Sequence, residues 1–117
     1  MNIESFRNYC LAKKGAVESL PFDNKTLVFK VAGKMFALAG IENLSYVNLK
    51  CDPEKAIDYR EQYKGVRPGF HMNKKHWNSV YLSEDVGEAL FVELLDHSYQ
   101  LVIESLTKKA YEELQNR

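Results

Sequence analysis

The hydrophobic positions of this chain change period along its length, from helical to alternating and back to helical. Ile3, Phe6, Cys10 and Leu11 recur at helical spacing behind Asn2, whose side chain suits a helix start, and Lys13-Lys14-Gly15 supplies a stop. GAVESLPFD then keeps no period and, with Pro21 in it, reads as an irregular connection. LVFKVAGKMFAL alternates around Gly33-Lys34, which predicts a hairpin with a type II′ turn. In that register Ala32 pairs with Met35, while Leu27, Phe29, Val31, Phe36 and Leu38 share one side and Lys30 lies on the other. SYVNLKC predicts a third strand, with Val47 and Leu49 inward and Tyr46, Asn48 and Lys50 outward.

Asp52-Pro53 is a helix cap followed by proline at the first helical position, with Ala56, Ile57, Tyr59 and Tyr63 as the inward side before Gly65. Two further strands are expected over Val66 to Met72 and Trp77 to Leu82, joined at a tip of Asn73-Lys74-Lys75. Their apolar sets, Phe70 and Met72 on one and Val80 and Leu82 on the other, face one way; Arg67, His71, Trp77 and Tyr81 face the other. A long helix starts at Ser83 or Asp85 and buries a stripe from Val86 to Leu106. The order α-β-β-β-α-β-β-α predicts a two-layer α+β fold, a five-stranded antiparallel sheet with helices on one face, in a single domain over residues 1–117.

With 117 residues, 45% of them hydrophobic, the chain has enough apolar surface to close one core. Two cysteines without CxxC spacing read as reduced thiols, and with no signal-peptide pattern and no membrane-length apolar run the expected location is the cytoplasm. Sixteen basic and sixteen acidic residues cancel, which argues against a strongly phosphate-seeking surface. The charges are nevertheless sorted. Asn24 to Ile41 holds Lys25, Lys30 and Lys34 without an acid, Lys64 to Ser83 holds Lys64, Arg67, Lys74 and Lys75 without an acid, and Glu84 to Glu104 holds only acids.

If helices cover one sheet face, the other carries Lys30, Met35, Tyr46, Asn48, Lys50, Arg67, His71, Trp77 and Tyr81. Cations neutralise phosphates and exposed rings stack on bases, so this inventory suits nucleic acid. It suits a protein partner equally, because Trp, Tyr, Met and Arg are enriched at interface centres. A third reading makes Trp77 and Tyr81 packing residues, covered by the connection around Glu42 or by the tail after Leu106, and the lysines edge charges. Chemistry finds less support. His71, His76 and Cys51 lack the spacing of a metal site, Asp96-His97-Ser98 lies on one helix where neighbours diverge, and VAGKMF lacks most of a phosphate-binding loop. Neither an enzyme nor a cofactor is expected.

PGFHMNKKHWNSVYL, with FKVAGKMFAL and VNLKC before it and LLDHSYQLVIESL after it, resembles the MmcQ/YjbR family, described as double-wing DNA-binding-like proteins. The resemblance runs from about Phe6 to Lys109. It implies a type III secretion chaperone-like fold with the same element order. It also implies DNA binding, by fold analogy, through two hairpin wings at Lys30 to Met35 and His71 to Trp77. On that reading Lys30, Lys34, Lys50, Arg67, Lys74 and Lys75 contact phosphates, and His71, Asn73, His76 and Trp77 lie against the nucleic acid. The alternative is a protein-interaction module using the same sheet face. No membrane contact is expected.

Overall fold

The computed structural model describes residues 1–42 and 44–117. The elements are α1 (Ile3–Leu11), β1 (Ala16–Ser19), β2 (Thr26–Val31), β3 (Lys34–Gly40), β4 (Tyr46–Lys50), α2 (Pro53–Gln62), β5 (Val66–Pro68), β6 (Trp77–Tyr81), α3 (Glu88–Glu104) and α4 (Lys108–Gln115). All strands join one antiparallel sheet in the order β1-β2-β3-β4-β6-β5. One core, with Phe6 and Cys10 of α1, Phe29, Val47 and Val80 of the sheet, and Phe91, Leu95 and Val102 of α3, fastens the helical layer to a single sheet face. The α+β class therefore holds, with six strands in place of the expected five and four helices in place of three among the described residues.

The added strand is β1, whose alternation is masked by a charge. Glu18 turns toward the helical layer, where its carboxylate receives both Nε and Nη2 of Arg7, so an inward position carries an acid. The final helix is two helices. Asp85 caps neither of them: its carboxylate accepts the N–H groups of Lys64 and Gly65, which holds its pKa below the ordinary range, and α3 begins only after Gly87. Thr107 then caps α4 by accepting from the Ala110 N–H. Leu11 and Ile57, both expected inward, are exposed.

The β2–β3 hairpin differs from its expected register. Ala32 (φ 50°) and Gly33 (φ 79°) form its turn, so the two central residues are left-handed in the manner of a type I′ turn, and Val31 pairs with Lys34. Lys30 pairs with Met35, but Phe29 pairs with Ala37 and Val28 with Leu38, leaving Phe36 as the extra residue of a bulge. One extra residue reverses the inward-outward order. Phe36 and Ala39 both reach the main core, and Leu38, expected beside Phe29, turns to the opposite face.

His97 and Ser98 of α3 fix the edge of this arrangement. The Ser98 hydroxyl donates to the Phe36 carbonyl and accepts the Lys50 N–H, and His97 Nε2 accepts the Asp52 N–H at 3.2 Å. Burial, with Lys55 adding to it, holds the His97 pKa below its ordinary 6.5, and only the neutral ring has a free lone pair for Asp52. A depressed histidine favours folding above the unfolded pKa and loses that contribution as protons bind. Unfolding free energy is therefore expected to be level near neutrality and to fall as pH drops below about 6.5. In urea titrations across pH 5 to 8, His97→Gln should flatten that decline; an identical pH profile in the variant removes His97 as its source.

Candidate functional site on the open sheet face

Strand parity places Lys30, Met35, Tyr46, Asn48, Lys50, Arg67, Trp77 and Tyr81 on the face away from the helices, as expected. The middle of that face is not bare. β5 ends at Pro68 and does not continue to Met72, and residues 69–76 fold back over the sheet. Trp77 is only 8% exposed and forms a second small core with Val28 and Leu38, covered by Met35 and Met72. The indole is thus a packing group and not an open stacking platform. Among the described residues, its cover comes from its own loop and from β3 in place of the expected Glu42 connection or tail.

Backbone geometry dictates this fold-back. The Gly69 N–H donates to the Trp77 carbonyl at 2.9 Å, and a Cβ at Gly69 would lie 2.8 Å from the Trp77 Cβ, so only glycine fits without displacement. The Met72 N–H closes a turn onto Gly69 O, with His71 in the left-handed region at φ 61°. Phe70 and Met72, expected on the helix side, are carried to the open face by that turn. A closed ring of hydrogen bonds then holds the Phe70 peptide down. Phe70 N–H donates to Ser79 Oγ at 2.8 Å, the Ser79 hydroxyl donates to Asn48 Oδ1, and Asn48 Nδ2 donates to Phe70 O at 3.1 Å. From beneath, the Arg60 guanidinium of α2 donates to Asn78 Oδ1 and to the carbonyls of Lys74 and Trp77.

Between this loop and the segment before β2 lies a groove of about 400 Å³, lined by Phe22, Leu38, Tyr46, Phe70, His71 and Met72 among others. Phe22 is 65% exposed and Phe70 51%, and Phe70 stands edge-on to Tyr46 with ring centroids 6.1 Å apart. The Asn48 amide and the Ser79 hydroxyl are already paired within the protein, so the groove offers a ligand mainly apolar and aromatic surface. Sequence reasoning missed Phe22, Phe70 and Arg60. Each depends on where a loop lies.

The expected cations divide. Lys34 points to the helix side, its Nζ 3.2 Å from Ser105 Oγ. Arg67 stacks 4.2 Å above the Tyr81 ring and pairs with Glu84 at 2.7 Å. Lys74 Nζ donates to Gly69 O, and Asn73 Oδ1 accepts the N–H groups of Lys75 and His76, so both of these residues shape the tip. Lys30, Lys50 and Lys75 make no ion pair among the described residues. His71 lies in the groove against Phe70, whereas His76 and Cys51 line a separate cavity of about 340 Å³ at the end of β4. Burial pushes the Cys51 thiol up to about 11, away from thiolate at neutral pH. Asp96, His97 and Ser98 serve three different partners: Tyr9 with Lys13, Asp52, and Phe36 with Lys50.

These features define a two-layer α+β domain with one helix-free face and a loop-clamped groove upon it. The YjbR family model matches residues 11–101. The uncharacterized protein YjbR of Escherichia coli K12 is 38% identical over 110 residues, covering 93% of each chain. Protein YbdF of Escherichia coli O157:H7, also uncharacterized, is 42% identical over 90 residues, 76% of this chain and 74% of that one. Among solved structures, Deinococcus radiodurans protein DR2400, with a domain termed DUF419, superposes with a TM-score of 0.91 at 37% identity, covering 97% of this chain and 88% of that one. A Pseudomonas syringae protein crystal structure gives 0.71 at 28% identity, over 86% and 98%. The chain belongs to the YjbR family.

Proposed function

We propose that this domain is a non-catalytic binding module that takes a segment of a partner protein in the groove of its open sheet face. The observation that carries the reading is the pair of exposed rings, Phe22 and Phe70, facing a groove whose floor polar groups are internally paired. Exposed apolar surface that is held rigidly in place marks a contact site more than a packing accident. Leu20 and Ile41 add exposed apolar side chains on the connections that follow β1 and β3.

A second reading, DNA binding through two hairpin wings, is favoured by one observation. The pairings Lys30 with Met35 and Lys50 with Trp77 bring both hairpin tips, with Lys74 and Lys75, to the same end of the sheet. It is weakened by Lys34 turned to the helices, Arg67 paired with Glu84 and Trp77 buried.

One experiment separates the two. A random peptide library is selected on the wild-type domain and counter-selected on Phe70→Ser, and the same proteins are titrated with duplex DNA, single-stranded DNA and RNA over a salt series. Enriched peptides are expected to carry an aromatic or aliphatic anchor and to lose about tenfold or more in affinity on Phe70→Ser, as loss of one ring contact implies. Absence of any peptide that distinguishes the two proteins overturns the groove. Nucleic-acid binding indifferent to Phe70, with a salt slope lowered by about two in Lys74→Ala/Lys75→Ala, would establish the wings in its place.

A further inference from the structure

We propose that the segment taken up by the groove is acidic at one end: an apolar anchor at Phe22 and Phe70, and carboxylates about four residues away that meet Lys30 and Lys50. The proposal rests on the groove reading above and adds the chemistry of the partner to it.

The six strands contain a single acidic residue, Glu18, and it faces the helical layer against Arg7. The strands contain four cations, Lys30, Lys34, Lys50 and Arg67. Lys34 is turned to Ser105 and Arg67 is neutralised by Glu84, which leaves Lys30 and Lys50 on the open face. Neither makes a side-chain hydrogen bond or ion pair among the described residues. In a chain of zero net charge, the open face of the sheet carries two uncompensated positive charges.

Register fixes where they stand. Lys30 pairs with Met35 on β3, and Lys50 lies on β4, the next strand, beside Trp77. The two lysines thus stand on the strands either side of β3, two strand spacings or about 10 Å apart. β2 and β4 both run antiparallel to β3, so they share a direction. Thr26 and Tyr46, which line the groove, stand four residues before Lys30 and Lys50 on those strands, about 13 Å. An extended chain covers the same span in four residues, passing over Met35 and Met72, the partly buried side chains that cover Val28, Leu38 and Trp77. The face therefore reads as an apolar seat at one end and a cationic seat at the other.

A polyanion would meet the same lysines, but two phosphate contacts give a shallow electrostatic attraction, and the groove floor leaves no unpaired side-chain amide or hydroxyl at Asn48 or Ser79 to read a base. Carboxylates attached to an apolar anchor use both ends.

The test uses fluorescein-labelled decamers with a Phe-Leu anchor and, four residues away in either chain order, a Glu-Glu, Gln-Gln or Lys-Lys pair. Binding is read by anisotropy at low and high salt, with a ten-nucleotide oligothymidylate as competitor. The Glu-Glu peptide is expected to bind about three- to tenfold more tightly than Gln-Gln at low salt, and Lys-Lys more weakly still. The advantage should vanish in Lys30→Gln/Lys50→Gln and at 1 M salt. Phe70→Ser should weaken all three peptides. Equal binding of Glu-Glu and Gln-Gln, with Phe70 still required, overturns the acidic partner while keeping the groove. No binding by any peptide overturns both. Oligothymidylate that binds through Lys30 and Lys50 more tightly than the Glu-Glu peptide assigns the cationic seat to nucleic acid and overturns the proposal.

Discussion

Trp77→Ala is expected to lower the unfolding free energy by about 3–5 kcal/mol, the range for removing a buried aromatic side chain. The position pairs with Lys50 on the face away from the helices, where such a loss would be surprising if the ring were a free contact surface. It is instead 8% exposed, with Val28 and Leu38 beneath it and Met35 and Met72 against it. Its backbone carbonyl also receives the Gly69 N–H and the Arg60 guanidinium. Loss of the indole thus removes the support of residues 69–76, and the groove wall at Phe70 should loosen with it. Because the variant has no tryptophan, the measurement is urea unfolding followed by circular dichroism. A change under about 1 kcal/mol would mean that the ring is not packed, and would return Trp77 to the role of a contact residue.

The second large effect is expected at Ser98. Its hydroxyl donates to the carbonyl of Phe36, the bulged residue, at 2.5 Å, and accepts the Lys50 N–H at 2.8 Å. Bulged residues leave the strand ladder incomplete, so their backbone groups need a partner from outside the sheet. Ser98→Ala leaves two backbone groups in the interior without one. At about 1–3 kcal/mol for each such group, a net loss of about 2–4 kcal/mol is expected. The same variant should speed hydrogen exchange at the Lys50 amide, read by NMR. Unchanged exchange there would show that water replaces the hydroxyl, and the stability loss should then be small.

The two positions mark how far the residue pattern could be read. Cap chemistry at Asn2 and Asp52, the alternation of β4 and the long apolar stripe of α3 rest on interactions within a few residues, and each element formed near its expected place. The inward and outward sets of β4 and β6 held for the same reason. β1 was missed because its inward acid, Glu18, is compensated by Arg7, 11 residues earlier in the chain and adjacent only in the folded state. The bulge at Phe36 was missed because an extra residue changes parity without changing composition. The break after Glu104 was missed because Leu106 continues the apolar spacing through a segment that is no longer helical.

The site was legible as an inventory and not as a surface. The residues assigned to the open face do lie there, because strand periodicity alone decides which side a side chain takes. Which of them stay available was decided by groups far away in the chain: Glu84 occupies Arg67, Ser105 draws Lys34 to the helices, and Met72 with Met35 covers Trp77. Phe22 and Phe70 became the exposed rings because two connections, neither of them periodic, lie on either side of the same groove.

By itself the sequence determined the α+β class, most of the helix and strand positions, and the side of the sheet on which its cations and rings emerge. Those properties follow from local backbone preference and from periods of two and 3.6 residues, which the chain carries along its length. Only the tertiary structure decided the sixth strand, the bulge, the folding of residues 69–76 over the sheet and the separation of an apolar groove from two unpaired lysines. Each of these depends on partners brought together by packing, and neither spacing nor composition encodes that distance.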